Sequence, residues 1–207
     1  MSVAIWWIRR DLRLTDNQAL AAALAHGSQI VPAIIVDPQL LASPYGSDRR
    51  AAFLFGGLRA LAAAIVEPGG KLIVRHGEPA AQLATLCRES GTSAVYAERD
   101  YSPYATARDT RVAAALSVPL HLTDGLMARP MMAALKDDGT PYTVYTPYSR
   151  RWRQQVPLQR SDILPAPEQL PGPTSMASDD LPESDAANEL SFVPGEGEAK
   201  QRLAAFV

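Results

Sequence analysis

The chain has 207 residues, of which 20 are basic and 22 acidic, so its formal net charge is −2. Its hydrophobic content of 47% excludes overall disorder, and no apolar run reaches the roughly 18 residues that a membrane span requires. A single cysteine, Cys87, excludes an internal disulfide framework and suits a reducing compartment. We therefore expect a soluble, cytoplasmic protein with no membrane partner.

The net charge is the sum of two unlike parts. Residues 1–160 carry a net charge of +5, whereas residues 161–207 carry −7. The stretch between residues 155 and 195 also holds 7 of the 17 prolines. Because an acidic, proline-rich segment does not easily bury a core, we predict that the folded unit ends near Arg160 and that a linker follows it.

Short apolar runs alternate with helical patterns along the first 125 residues. The runs predict five β-strands, at 3–8, 30–36, 72–74, 94–97 and 119–122. Helical spacing of apolar residues follows the first four strands, and the helices begin near residues 15, 48, 79 and 104. Helices that connect successive strands imply right-handed crossovers. The predicted fold class is therefore α/β: a doubly wound, mainly parallel, five-stranded sheet of the Rossmann-like type, with an extended C-terminal linker.

Polar residues follow every predicted strand. They stand at 9–11, 37–38, 76–78, 98–100 and 123–125. In a doubly wound sheet, ligands bind beyond the carboxyl ends of the strands, where the strand order reverses. Loops are polar in any protein, but the density of Arg and Asp at one predicted edge favours a ligand site there.

Motifs for self-contained catalysis are missing from the sequence. The first strand is followed by the charged turn 9–13 instead of Gly-x-Gly-x-x-Gly, and there is no Walker signature, His-Glu-x-x-His pair or Gly-x-Ser-x-Gly turn. A lone Cys87 on an apolar helix face is typical of a small core residue, and no cysteine pair is available for zinc. The sequence therefore predicts a ligand-binding domain with no catalytic residue and no metal site of its own.

Four blocks of sequence, taken together, resemble one family. They are WWIRRDLRLTDN at 6–17, YAERDYSPY at 96–104 with Arg108-Asp109 after it, PYTVYTPY at 141–148, and FVPGE at 192–196. These blocks and their order are similar to those of the DNA photolyases and cryptochromes. The resemblance covers the whole chain, but it corresponds only to the N-terminal part of the family's architecture.

The resemblance implies a division of the chain into four parts. They are an α/β antenna-chromophore domain at 1–130, a connecting segment packed on it at 131–160, a proline-rich acidic interdomain linker at 161–195, and the start of a helical FAD-binding domain at 196–207. By resemblance, the parent protein is a class I photolyase that splits pyrimidine dimers in damaged DNA by light-driven electron transfer from FAD. This chain would then harvest light, and it would be inactive without the helical domain of the same parent chain.

Two other functions are compatible with the sequence. The same domain in a cryptochrome would serve blue-light signalling, and the residues that distinguish the two functions lie outside the chain. A stand-alone α/β protein that binds a small nucleotide is the second alternative, and a gene whose reading frame stops at Val207 would favour it.

The resemblance also implies an antenna pocket for a deazaflavin or FMN at the strand ends. The residues that match its positions are Arg10, Val36, Asp37, Arg50, Phe53, Asp100 and Tyr104. In this interpretation Arg10 or Arg50 neutralises a ribityl-phosphate tail, Asp100 accepts from a ring N–H, and Phe53 or Tyr104 flanks the ring.

Each of these residues also has a purely structural interpretation. Arg10 would brace the first turn by ion pairing, Asp37 would form a turn before Pro38, and Asp100 would cap the following helix. Arg50 would be a solvated helix residue and Phe53 part of the core. A methenyltetrahydrofolate antenna would instead lie in the cleft between the domains.

A basic segment with interleaved aromatic residues lies further along the chain. Arg150, Arg151 and Arg153 are candidate contacts to DNA phosphates in the complete protein. The alternative is an interdomain contact in which Trp152 packs against the helical domain.

Overall fold

The structure is a computed structural model. It describes residues 2–42, 46–129, 131–155, 159, 162–173, 175–183, 186 and 190–206, without the side chains of Leu40 and Met131. The strands are β1 (Val3–Ile8), β2 (Gln29–Val36), β3 (Ile73–His76), β4 (Ala94–Glu98) and β5 (Leu120–Thr123). The helices are α1 (Gln18–His26), α2 (Pro38–Leu41), α3 (Asp48–Val66), α4 (Pro79–Ser90), α5 (Pro103–Ala115), α6 (Tyr145–Arg153) and α7 (Glu196–Phe206), with a 3₁₀ turn at Met131–Ala133.

The five strands form one parallel sheet in the order β3-β2-β1-β4-β5. β1 is the central strand, since Ile5 pairs with Val31 of β2 on one side and with Val95 of β4 on the other. The chain therefore adds strands first on one side of β1 and then on the other, so the strand order reverses there. This arrangement confirms the predicted doubly wound α/β fold.

Successive residues of β1 enter opposite halves of the core. Trp6 and Ile8 are buried in the half that α1 and α3 cover, whereas Ile5 and Trp7 are buried in the half that α4 and α5 cover. Side chains of a strand alternate between the two faces of a sheet, so a strand covered on both faces has no polar face. This explains the unbroken apolar run at residues 3–8.

The starts of the helices agree closely with the sequence patterns. Asn17 caps α1, where its side-chain oxygen accepts from the backbone N–H of Leu20 at 2.9 Å. Helix α3 begins at Asp48, as predicted. Pro79 is the first residue of α4, which Glu78 caps.

Described residues of the segment after residue 160 pack against the domain, so the folded unit does not end near Arg160 as the sequence predicts. Arg160 itself lies outside the described residues. Leu170 is fully buried in the same half of the core as Trp6, its N–H donates to Pro68 O at 2.7 Å, and the N–H of Ile30 donates to Pro171 O at 2.7 Å. Composition correctly predicts an extended segment, but a few spaced apolar side chains are enough to bury it.

The same segment covers one edge of the sheet. The N–H of Asp179 donates to Val74 O at 3.0 Å, and the N–H of Val74 donates to the Ser178 hydroxyl at 2.9 Å. These bonds satisfy backbone groups of β3, which is an edge strand. Covering an edge in this way removes a template for pairing with other chains.

Helix α7 is held against the first turn of the chain. Glu196 accepts from the backbone N–H groups of Leu14 at 2.8 Å and Thr15 at 3.3 Å. Just before it, Pro194 lies so close to Gly56 that a Cβ at that glycine would come within 2.7 Å of the proline ring.

Among the described residues, no helix combines the length and the apolar character that crossing a membrane requires.

Candidate ligand-binding site

A cavity of about 70 Å³ lies at the carboxyl ends of β1 and β2. Most of its walls are apolar side chains from β1, β2, α2 and α3, and the remainder includes one carboxylate and two guanidinium groups. Its lining includes Trp7, Arg9, Val36, Asp37, Leu54 and Arg108. Pockets for small-molecule ligands typically measure roughly 300–1,000 Å³, so this cavity admits the edge of a ring, and a tricyclic ring would require its walls to separate.

Val36 and Asp37, both predicted as site residues, line the cavity. Asp37 is 5% exposed. One of its carboxylate oxygens accepts from the backbone N–H of Gln39 at 2.9 Å and so caps α2. The other accepts a short hydrogen bond from the Tyr104 hydroxyl. The turn-forming and site interpretations of Asp37 are therefore compatible.

The Tyr104 hydroxyl is held in its protonated form. Burial, together with the hydrogen bond and the negative charge of Asp37, raises the pKa of Tyr104 to about 12. Tyr104 thus donates to Asp37 at any physiological pH. It supports the wall of the cavity through Asp37 and does not itself line the cavity.

Arg10 and Asp100 form an ion pair outside the cavity, with Arg10 Nη1 and Asp100 Oδ2 3.2 Å apart. The Arg10 side chain is 65% exposed, whereas that of Asp100 is 13% exposed. Burial alone would raise the pKa of Asp100, but hydrogen bonds from Ser102 and Arg10 outweigh it and lower that pKa below its ordinary value. The cap of α5 is Ser102, and Asp100 supports it by accepting from the Ser102 N–H at 2.9 Å.

Arg50 and Phe53 lie on an exposed part of α3. Phe53 is 46% exposed, so it is not the core residue that its structural interpretation predicts. Neither residue is among the described residues that line the cavity. The structure therefore brings Val36 and Asp37 to the cavity and connects Tyr104 to them, and it leaves the other four predicted residues outside.

Sequence analysis missed the two arginines of the cavity, Arg9 and Arg108. Both guanidinium groups pair with Asp109, and both lie against the Trp7 ring, at 4.7 Å and 5.1 Å from its centroid. One signal was available: Arg108 follows Tyr104 by four positions and so shares its face of α5. The pairing of Arg9 with Asp109 joins positions 100 residues apart, which no local pattern records.

A second polar cluster lies at the carboxyl end of β4, and its role is structural. Glu98 is 6% exposed, and it accepts from the backbone N–H groups of Ala19 at 2.9 Å and Gly125 at 2.6 Å. Nearby, burial raises the pKa of Asp11 to about 6, with Arg13 opposing the shift and Glu98 adding to it. Across the described part of the chain, no group of three or more His, Cys, Asp or Glu side chains is placed to hold a metal ion.

The basic segment forms an exposed surface on α6. Arg150, Arg151 and Arg153 are all exposed, and no residue of the helix is buried. Arg151 reaches Asp137 at 3.9 Å, and Arg129 lies 5.8 Å from the centroid of the half-buried Trp152 ring. We call Arg150, Arg151 and Arg153 the α6 basic strip.

A larger concavity lies beside the α6 basic strip. It has a volume of about 710 Å³, and its lining includes Met127, Met132, Tyr142, Tyr148 and Trp152. Its walls are mostly apolar or aromatic, and Met132 is 67% exposed. An exposed apolar surface of this kind is typical of a face that meets a partner.

The family model described as DNA photolyase matches residues 4–171. The chain is 36% identical over 211 residues to an uncharacterised 31.6 kDa protein of Synechococcus, covering 98% of this chain and 74% of that protein. It is 38% identical over 208 residues to a deoxyribodipyrimidine photo-lyase of Thermus thermophilus, covering 100% of this chain and 45% of the enzyme. A cryptochrome is also among its relatives.

The structure is likewise similar to that of a bacterial class III photolyase from Agrobacterium tumefaciens. The TM-score is 0.83 at 27% sequence identity, over 99% of this chain and 44% of that one. The chain therefore belongs to the DNA photolyase family, and its fold is that of the family's N-terminal α/β domain. It spans slightly less than half of the photo-lyases that it matches.

Proposed function

We propose that this chain is the light-harvesting domain of a photolyase-type protein. In this proposal, the cavity at the carboxyl ends of β1 and β2 takes the edge of a planar chromophore of the flavin or deazaflavin class. The excitation would pass to an FAD that a helical domain of the same parent chain would hold, and the complete protein would repair pyrimidine dimers in DNA. The observation that carries the proposal is an apolar cavity with charged groups at the ligand-binding edge of this family's sheet.

An antenna needs a ring that is held rigidly and kept dry. The chromophore, when bound, supplies the absorption of near-ultraviolet or blue light. The protein's part is to bind and orient it: Trp7, Val36 and Leu54 offer apolar surface that excludes water. Asp37 is fixed by Tyr104, so this part of the wall has one defined arrangement.

The predicted residues outside the cavity are proposed to meet the polar tail of the ligand. Arg10 is largely exposed and yet tethered to Asp100, so its guanidinium can turn towards a phosphate at low entropic cost. Arg50 and Phe53 lie within the first two turns of α3. A tail that leaves the cavity is proposed to pass along this part of the helix. The class of photolyase stays a prediction, as do the roles of these residues.

A methenyltetrahydrofolate antenna is the second candidate. The specific observation in its favour is the concavity of about 710 Å³ beside α6, which has the aromatic lining that a flat ring requires. In that case the helical domain would supply the opposite wall. A cryptochrome would use either site in the same way, so the choice of site does not separate repair from signalling.

Binding of FMN and of a deazaflavin to the protein tests the proposal. Fluorescence anisotropy of the dye should rise on addition of the protein. Leu54→Trp should weaken binding by at least tenfold because it fills the cavity, whereas Val66→Trp, on an exposed position of the same helix, should leave binding unchanged. Unchanged anisotropy with both dyes, or equal effects of the two variants, would contradict the cavity as the antenna site.

The 207-residue chain should also repair no thymine dimers under blue light, because the proposed electron donor, FAD, binds elsewhere in the parent chain. Dimer content of irradiated oligonucleotides, measured by chromatography before and after illumination, checks this. Measurable repair would overturn the proposed division of labour.

A further inference from the structure

More carboxylates than cations lie at the first turn of the chain, between β1 and α1. The four carboxylates belong to Asp11, Asp16, Glu98 and Glu196. Among the described residues, two cations pair with them: Arg13 lies 3.4 Å from Asp11 and 3.3 Å from Asp16, and Lys200 lies 2.6 Å from Glu196. We call the four carboxylates the turn cluster, and its charge is more negative than its cations can balance.

One oxygen of the turn cluster differs from the others. Each carboxylate oxygen of Asp16, Glu98 and Glu196 accepts at least one hydrogen bond. Asp11 Oδ1 lies beside Arg13, whereas Asp11 Oδ2 is buried and has no hydrogen-bond partner among the described residues. The Asp11 side chain is only 9% exposed. A buried carboxylate oxygen without a donor is a group whose charge a proton relieves.

Helix α7 depends on the same turn for its position. No residue of α7 is buried, and an isolated helix of 11 residues is marginal in water. Glu196 accepts from two backbone N–H groups of the turn, and Lys200 donates to the Thr15 hydroxyl at 2.8 Å. The anchor of α7 is therefore a carboxylate that lies within the field of Asp11.

We propose that Asp11 is the proton-sensitive element of a latch between the first turn and α7. In this latch, the carboxylic acid form of Asp11 favours the docked helix. The carboxylate form repels the Glu196 carboxylate that anchors the helix, and so it favours release. The proton is taken up at Oδ2, the oxygen that no donor occupies. The latch is independent of the chromophore cavity, so its failure would leave the proposed function standing.

The groups that face Asp11 set the direction of the effect. They are Arg13 and Asp16 on the turn, Glu98 on β4, and Glu196 with its partner Lys200 on α7. Burial raises the pKa of Asp11 to about 6, with Arg13 opposing the shift and Glu98, Asp16 and Glu196 adding to it. Release of α7 takes the Glu196 charge away and so lowers that pKa. Docking is therefore strengthened as the pH falls through about 6 and weakened as it rises.

Glu196 limits the latch at the acid end. Burial alone would raise the pKa of Glu196, but hydrogen bonds from Lys200 and the turn outweigh it and hold that pKa below its ordinary value of 4.5. Docking that depends on the Glu196 carboxylate is lost only below this range. The strongest docking is thus expected between the pKa of Glu196 and that of Asp11.

Hydrogen–deuterium exchange of the intact chain tests the latch. The protection of the α7 amides, corrected for the intrinsic exchange rate, should be at least about threefold higher at about pH 5.5 than at about pH 8, since half a pKa unit is about threefold in an equilibrium constant. Asp11→Asn should remove the difference and keep the higher protection at both pH values. Asp137→Asn, at a side chain that is 99% exposed, should preserve the difference.

A titration of the Asp11 carboxyl by nuclear magnetic resonance keeps the test decisive if Asp11→Asn does not fold. Glu196→Gln removes the anchoring charge, so the pKa of Asp11 should fall by at least about half a unit, as reciprocity between the two groups requires. Glu198→Gln is the matched control on α7, because Glu198 pairs with Arg202 at 2.7 Å and should leave that pKa unchanged.

Three results would overturn the latch. The first is equal protection of α7 at the two pH values in the unaltered protein. The second is a pH difference that persists in Asp11→Asn, which would place the titrating group elsewhere. The third is a pKa of Asp11 that Glu196→Gln does not change.

Discussion

Asp37 shows how one side chain can serve fold and site together. It caps α2 and accepts from Tyr104 while it lines the cavity. Tyr104→Phe should therefore lower the free energy of unfolding by about 1–3 kcal/mol, because a buried carboxylate loses a donor. Tyr101→Phe is the matched control, since its hydroxyl donates to Asp124 at an exposed site and its loss should cost less. Equal losses in urea denaturation would contradict the buried role of Tyr104.

Asp11 predicts a pH dependence of stability. Its ordinary pKa of 3.8 rises to about 6 in the folded protein, mainly through burial. The folded state then binds the proton more tightly, so this contribution to stability is fully present below about pH 3.8 and is lost as pH rises through about 6. Asp11→Asn should raise the free energy of unfolding by about 1–2 kcal/mol at pH 8, after allowance for solvent screening, and by little at pH 4.

The control for Asp11 is Asp137→Asn, at a side chain that is 99% exposed. Its effect on the free energy of unfolding should be small and the same at pH 4 and pH 8. An effect of Asp11→Asn on the free energy of unfolding that is the same at pH 4 and pH 8 would show that folding does not raise the pKa of Asp11.

At the scale of single residues, sequence and structure agree where a residue's position follows from a strand. Val36 and Asp37 end a strand, and the carboxyl end of a parallel strand is where the cavity lies. Arg10, one position beyond Arg9, instead pairs with Asp100 outside the cavity. Arg9 and Arg108 share Asp109 as their ion-pair partner. That arrangement depends on how α5 packs on β1, and no local sequence pattern determines this packing.

At the scale of elements, the packing of the segment after residue 160 predicts that its buried side chains contribute to stability. Leu170→Ala should lower the free energy of unfolding by about 2–5 kcal/mol, because Leu170 is fully buried. Ile163→Ala, at a side chain that is 52% exposed, should cost less than about 1 kcal/mol. Similar thermal transitions for the two variants, or an unchanged transition after deletion of residues 161–207, would show that the segment does not pack.

The contrast between β1 to α5 and the segment after residue 160 shows which parts of the fold could be predicted from the sequence. The alternation of strands and helices is written in periodicities that continue over many residues, so β1 to α5 follow from the sequence. The segment at 162–183 has no such periodicity, and its attachment depends on isolated side chains such as Leu170 and on backbone bonds to Val74 and Ile30. Composition predicts its extended form but not its packing.

At the scale of the whole molecule, the α6 basic strip is proposed to contact DNA in the complete protein. The isolated chain should bind duplex DNA weakly, with a steep loss of affinity as salt rises. Replacing Arg150, Arg151 and Arg153 with Gln should lower the slope of log K against log salt by up to about 3, whereas Arg88→Gln should change it little. An unchanged slope in the triple variant would favour the strip as an interdomain contact.

In the proposed function, the cavity beside Trp7 holds a planar chromophore rigidly enough to serve as an antenna. Time-resolved fluorescence anisotropy of FMN or a deazaflavin bound to the protein tests it most directly. We expect a single slow decay with the rotational correlation time of the whole domain, and a fast component to appear in Leu54→Trp. A bound dye that keeps its own fast rotation in the unaltered protein would contradict the claim.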